Sequence, residues 1–258
     1  MNWFLRAMLV GTLIGLGISV IANTCTTVFL HRSLSHRALT LHQPATFIFR
    51  VLVWVTTGIR PRQWVAVHRK HHAYTDVEGD PHSPVLLGWK KVQMKNVALY
   101  RSAAKDQLMV EKYAKDLPYD AWDRALFNRA YLGLGIGITL LIVVFGPAVG
   151  IIAAVVHMNF YLAGSAAVNA IGHRFGQRTY PNEATNLQWL AFLTMGEGLH
   201  NNHHAAPSSP RLSHRRYEID PGWWVVKTLA WTRLARLRFN DVRLSTRAKG
   251  MTAPSEAA

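Results

Sequence analysis

Along the chain, long uncharged apolar runs alternate with polar segments dense in Lys and Arg. Residues 7–31 and 131–171 contain no Lys, Arg, Asp or Glu. The first run, taken over residues 3–30, predicts a membrane-spanning helix. At about 1.5 Å per residue it reaches roughly 42 Å, more than the ~30 Å of bilayer hydrocarbon. It is too long for the apolar core of a cleavable signal peptide. The second run is interrupted by Gly146-Pro147, a turn signal. It predicts a hairpin of two crossings, 131–145 and 148–171. Residues 44–59 are apolar but short and carry Arg50, which predicts an interfacial or buried helix. The mixed segment 86–128 predicts a helical cytosolic cap, and residues 246–258 a disordered tail. The expected fold is all-α: an integral membrane helical bundle of about three to four crossings, a single domain over residues 1–245.

Charge gives this bundle an orientation. The chain of 258 residues has 29 Lys and Arg against 14 Asp and Glu, a net charge of +15. Residues 60–130 hold 13 of the cations and residues 172–258 hold 12. The positive-inside rule places both segments in the cytoplasm, with the N-terminus and the hairpin turn outside. Basic regions on one side of apolar crossings indicate a membrane protein, not a nucleic-acid binder. Trp3, Tyr131, Trp223 and Trp224 near segment ends fit interfacial anchors. The hydrophobic half of the composition excludes general disorder. A single cysteine, Cys25, excludes an intrachain disulfide or a thiolate cluster.

Candidate chemistry lies in the 13 histidines. Three clusters stand out: His31 with His36, His68 with His71 and His72, and His200 with His203 and His204. The second and third have spacing i, i+3, i+4, which places their imidazoles on one helical face. The first has spacing i, i+5, which splays two rings on a regular helix. The helix is therefore expected to end or unwind near His36. Imidazole suits Fe, Zn, Cu or Ni. Eight imidazoles exceed the needs of one ion and indicate two metals, and zinc needs only three or four ligands, so the count favours redox iron.

A lone histidine is usually an ordinary core or surface residue. Two HxxHH triplets and an HxxxxH on one predicted membrane face are poorly explained that way. A transporter would place its ligands near the bilayer midplane, whereas these clusters fall outside the apolar runs. No GxSxG elbow, P-loop or GxGxxG is present, so bound NAD or FAD is not expected. Reducing power then comes from a separate protein. The basic face suits an acidic redox partner and equally an anionic lipid surface. Asp80 and Glu197 are candidates to orient imidazoles from behind. Asp76 and Glu78 are as readily solvated loop residues. His157 lies about 24 Å along a helix from His173, too far to share its site, and reads as a neutral histidine bonded within the bundle. His42 and His214 carry no signal.

In order and spacing, the three boxes resemble those of membrane fatty acyl desaturases of the stearoyl-CoA desaturase type. The likeness runs over roughly residues 23–225. It extends to Trp64, to Asp80-Pro81-His82, to Gly196-Glu197-Gly198, and to the segment NAIGHRFG that contains Asn169 and His173. The resemblance implies a non-haem di-iron enzyme with two Fe2+ ions as cofactor. Its ligands would be His31, His36, His68, His71, His72, His173, His200, His203 and His204, with Asn169 acting through a metal-bound water. Trp64 would line the acyl tunnel, a buried core Trp being the plain alternative. The implied reaction uses O2 to introduce a cis double bond, at Δ9, into a saturated acyl chain linked to CoA, lipid or a carrier protein. Two electrons come from an external donor such as a ferredoxin or cytochrome with its reductase. A hydroxylase of the same superfamily is the rival reading. Two departures stand out. One crossing precedes His31 where the family has two, and Ala66 and Val67 occupy positions where acyl-CoA enzymes carry a basic and an acidic residue. The expected location is the plasma or inner membrane of a bacterium, with the histidines facing the cytoplasm.

Overall fold

A computed structural model describes residues 2–245, so the tail expected over 246–258 lies outside the described residues. Helix α1 (Trp3–Cys25) opens with Asn2, whose side chain accepts a hydrogen bond from the Leu5 backbone N–H at 2.9 Å. It runs without a break into a π-helical segment, Thr26–Ser35. Strand β1 (Leu39–Leu41) and helices α2 (Gln43–Thr57) and α3 (Pro61–Ala73) follow. Next come α4 (Pro84–Leu87), α5 (Trp89–Ala104), α6 (Gln107–Tyr113) and a π-helical turn, Asp123–Phe127. The hairpin is α7 (Ala130–Phe145) and α8 (Pro147–Ala170), the latter ending in a 3-10 turn, Ile171–His173. Helices α9 (Gln188–Leu193), α10 (His200–Ala205) and α11 (Pro221–Trp231) precede strand β2 (Ala235–Leu237).

The apolar helices pack on one another. Helix α1 lies along α8, and α7 packs on α8 and α2. Close approach of α1 and α8 depends on Gly15, where a Cβ would come within 2.6 Å of the Ala153 carbonyl oxygen. Near this contact a polar clip joins three helices. His157 Nε2–H donates to the Thr56 carbonyl at 2.8 Å, and its Nδ1 lies 3.0 Å from Ser19 Oγ. His157 is thus bonded within the bundle, as expected. Outward faces remain apolar, with Phe4, Leu13, Val143 and Val144 exposed, and an exposed apolar surface of this kind needs a nonaqueous partner.

Trp3–Ser35, at 33 residues, and Pro147–His173, at 27, are long and apolar enough to cross a membrane. Helix α7 has 16 residues, about 24 Å, and is a shorter apolar helix. Segment 44–59 is helical as α2, with Phe49, Val53 and Trp54 buried. Segment 86–128 is helical through most of its length.

The fold is mostly helical, as expected. One detail was not foreseen: β1 and β2 form a short antiparallel ladder, Leu39 opposite Leu237 and Leu41 opposite Ala235. Three-residue strands are too short to leave a periodic signature. Trp223 is half-buried and packs against the cluster around Phe29, Phe49 and Val53. Trp3, Tyr131 and Trp224 are exposed, as anchors should be.

Candidate metal centre

The first histidine pair is brought into line by a change of helical pitch. Residues five apart are in register in a π-helix, because its hydrogen bonds run from i to i+5. The His36 N–H donates to the His31 carbonyl at 3.1 Å, and the Ser35 hydroxyl to the Leu30 carbonyl at 2.9 Å. The two rings end 4.9 Å apart. The expected unwinding near His36 therefore takes the form of a wider helix that begins at Thr26. Arg69 of α3 seals its end: Nε donates to the Ser35 carbonyl at 2.9 Å and Nη2 to the Leu34 carbonyl at 2.8 Å. One side chain thus satisfies two terminal carbonyls and holds the first box against the second.

Helices α3 and α10 each divide their histidines between two groups. His31, His36, His68, His72 and His203 form one, and His71, His173, His200 and His204 the other, with donor atoms in each lying within 4.8 Å of one another. The i, i+4 pair of each helix stays together, His68 with His72 and His200 with His204. The third histidine crosses to the opposite group. All nine histidines selected from the sequence are brought into these two groups.

Carboxylates orient three of the rings. Glu197 Oε1 accepts from His31 Nδ1–H at 2.6 Å and from the Thr27 hydroxyl at 2.5 Å. Asp80 accepts from His71 Nδ1–H at 2.9 Å, and Asp76 from His173 Nδ1–H at 2.7 Å. Asp80 and Glu197 stand where the sequence suggested. Asp76 is buried and bonded to His173, while Glu78 is exposed. Burial pushes the Asp80 carboxyl up, but the hydrogen bond and charge of His71, joined by His82, hold it down at about 2. Glu197 follows the same logic: burial raises it, and His31, Arg32 and Thr27 bring it below the ordinary carboxylate range.

With Nδ1 held by a carboxylate, His31, His71 and His173 each turn Nε2 away from it. These atoms meet other imidazole nitrogens at short range. His31 Nε2 lies 3.0 Å from His203 Nε2, His72 Nε2 lies 2.8 Å from His203 Nε2, and His36 Nε2 lies 2.8 Å from His68 Nε2. His173 Nε2 is buried with no hydrogen-bond partner among the described residues. Burial first, and neighbouring histidines second, push His36, His68, His72, His200, His203 and His204 well below the ordinary imidazole range. Neutral, buried imidazoles with converging lone pairs repel one another unless a cation sits among them. The donor set, all nitrogen with no thiolate, fits ions of the iron type.

Trp64 lies beside the five-histidine group, stacked on His68 with centroids 4.9 Å apart. Asn169 sits at the end of α8, where its Nδ2 donates to Asn96 Oδ1 at 3.3 Å. His82 stacks on His71 at 4.6 Å, and burial pushes it down to about 3. His214 bonds Tyr180 at 3.0 Å.

Sequence reasoning passed over the residues that fix α10 and the first box. Asn201 Oδ1 accepts from the Thr179 and Tyr180 N–H groups at 2.8 and 2.7 Å, and its Nδ2 donates to the Ala184 carbonyl at 3.0 Å. Asn202 Nδ2 donates to the Leu212 carbonyl at 3.0 Å and to Glu218 at 2.8 Å. Arg32, wholly buried, pairs with Asp220 at 2.7 Å. Gly196 passes between them with φ +109°, where a Cβ would come within 2.3 Å of Asp220 Oδ1. The two asparagines inside the third box were the available signal, since buried amides need several partners.

Comparison with known proteins places this architecture. The chain matches the fatty acid desaturase family over residues 3–244, and it belongs to that family, one of oxidoreductases. It is 33% identical over 221 residues to an acyl-CoA C20 Delta5-desaturase of Anemone leveillei, covering 81% of this chain and 67% of the relative. It is 31% identical over 252 residues to Delta-9 acyl-lipid desaturase 2 of Arabidopsis thaliana, covering 92% and 74%. An sn-1 stearoyl-lipid 9-desaturase of Synechocystis sp. is 28% identical over 222 residues, covering 84% and 67%.

Proposed function

We propose that the chain is an O2-dependent fatty acyl desaturase that introduces a cis double bond at Δ9 of a saturated acyl chain. The observation that carries this reading is the division of nine buried or half-buried histidines into two groups, each sized for one ion. In this reading His31, His36, His68, His72 and His203 hold one iron. His71, His173, His200 and His204 hold the other, with Asn169 acting through a water. Two iron ions, when bound, supply the O2 activation that removing hydrogen from an unactivated methylene demands.

The protein's own part is positioning. Glu197, Asp80 and Asp76 each accept an Nδ1–H and so present Nε2 inward. Burial favours the unprotonated form of His36, His68, His72, His200, His203 and His204. Trp64, stacked on His68, gives the acyl chain an apolar wall beside the five-histidine group. Ala66 and Val67 are buried among Met109, Val110 and Ala114, so they offer a CoA carrier no charge. The Δ9 position rests on likeness to relatives named as 9-desaturases. Electrons come from a separate ferredoxin or cytochrome with its reductase. The membrane reading places the histidines on the cytoplasmic side, with α1, α7 and α8 crossing.

Expression in a bacterial host tests this. Total fatty acids are converted to methyl esters and new double bonds are located by mass spectrometry. The expected result is a cis monoene with its bond at carbon 9, absent with His200→Ala. A hydroxylated chain moves the protein to the hydroxylase branch. No product from iron-loaded protein supplied with donor and reductase overturns the enzyme reading.

A further inference from the structure

Helix α5 lies across the cytoplasmic ends of both hairpin arms. Gln93 Nε2 donates to the Ala163 carbonyl of α8 at 3.1 Å, Asn96 accepts from Asn169 at 3.3 Å, and Arg101 donates to the Tyr131 hydroxyl at the start of α7 at 2.5 Å. Anchored at these points, a helix of about 24 Å is held at the level where crossings leave the hydrocarbon. Its composition is one-sided. Residues 84–105 contain Lys90, Lys91, Lys95, Arg101 and Lys105, and no Asp or Glu. Apolar side chains project from the same surface: Val85 and Leu86 of α4 are each 55% exposed, Met94 79% and Val97 42%. Cations interleaved with exposed apolar side chains on an in-plane helix suit a headgroup layer of negative charge, where the chains dip and the amines stay at phosphate level.

A pocket of about 390 Å³ adjoins this surface. Pro84, Val85 and Trp89 line it together with Arg174, Arg178 and His173 of the four-histidine group. Arg178 is paired with Glu183 at 2.9 Å, which leaves Arg174 as the guanidinium at this opening without an acidic partner among the described residues.

We propose that α4, α5 and the Arg174 loop form a docking face for anionic phospholipid, which gathers negatively charged headgroups beside the four-histidine group. A surface that concentrates acyl-bearing lipid next to the reacting centre fits a substrate delivered from the membrane. The proposal rests on reading α7 and α8 as a membrane hairpin, and the experiment is arranged to separate the two.

The full-length protein is reconstituted into nanodiscs of phosphatidylcholine, with or without phosphatidylglycerol. Cys25 is the sole native cysteine and is buried, so a fluorophore can be attached selectively to Met94→Cys. Quenching by headgroup-labelled lipid is then recorded. We expect quenching at Met94→Cys to rise with phosphatidylglycerol content and to be reversed by high salt, which shortens the screening length. In K90E/K91E/K95E the apparent affinity for phosphatidylglycerol should fall by about fivefold or more for each cation reversed. Iron content equal to wild type shows that this variant folds. Equal quenching in the two lipid compositions, or a phosphatidylglycerol response that survives the charge reversal, overturns the proposal. A probe at Met158→Cys, on the outward face of α8 and 53% exposed, reports the hairpin itself with acyl-chain quenchers. If it is unquenched in both lipids, the membrane reading falls and the docking face with it.

Discussion

The two histidine groups differ in how they are held, although α3 and α10 contribute to both. The five-histidine group draws one ring from the π-helical segment, one from the residue that caps it, His36, and one orienting carboxylate, Glu197. The four-histidine group takes His173 from the far end of α8 and has two carboxylates, Asp80 and Asp76. One group has more imidazoles and a single carboxylate behind them. The other has fewer imidazoles, two carboxylates, and a pocket against His173. The difference teaches that near-identical sequence boxes can build unlike sites. An HxxHH box on a short helix sends its i, i+4 pair one way and its third imidazole the other, and the surroundings then set the charge at each site.

The change expected to erase both sites at once is Asp220→Ala. It leaves Arg32 buried without its carboxylate, next to His31 and Glu197. Breaking a buried pair in this way costs about 3–5 kcal/mol, read as a large drop in Tm with loss of iron from both groups. Single-ligand variants should separate the sites. His36→Ala and His173→Ala are each expected to lower iron from two per chain to about one, and to lower desaturation by more than the ~10–100-fold typical of changes behind a ligand. Retention of both irons in either variant breaks the assignment of that histidine.

Neutralising one outer carboxylate comes next. Glu197→Gln keeps an acceptor for His31 Nδ1–H but removes the charge, and should weaken iron binding by about 10–100-fold. Asp76→Asn should have a smaller effect, because Asp80 still serves the same group. Equal losses would mean that the two groups are not charged differently in any way that matters.

The last effect is read on the metal-free fold, not on iron or activity. Burial holds six of these histidines below the ordinary imidazole value of about 6.5. Below that pH the unfolded chain binds protons that the folded chain refuses. Stability therefore rises with pH through this range and falls on acidification. Tm of the metal-free protein should be lower near pH 5.5 than near pH 7.5, and a flat profile would mean that the rings are solvated.

Much of the site was legible because metal chemistry constrains spacing. The i, i+3, i+4 boxes and the carboxylates Asp80 and Glu197 could be read from residue type and position, whereas His173, alone in its segment, was marked only by the resemblance to the desaturase family. The pitch change at Thr26–Ser35 was legible only as a conflict, since the i, i+5 spacing of His31 and His36 demanded some departure from a regular helix. Contacts between segments far apart in the chain were not legible. The Asp76 contact with His173 spans 97 positions and the Arg32 contact with Asp220 spans 188, and no local pattern encodes such a pairing. The packing of Trp223 was not legible for the same reason: amphipathic residues near segment ends look alike until packing decides.

The central claim is that two unlike nitrogen sites each hold an iron. The most direct test is anaerobic loading of the purified full-length chain with 57Fe2+, followed by iron analysis and Mössbauer spectroscopy. The account predicts about two irons per chain in two distinct ferrous environments, one of which disappears in His36→Ala while the other disappears in His173→Ala. A single iron per chain, or two that vanish together in either variant, would contradict it.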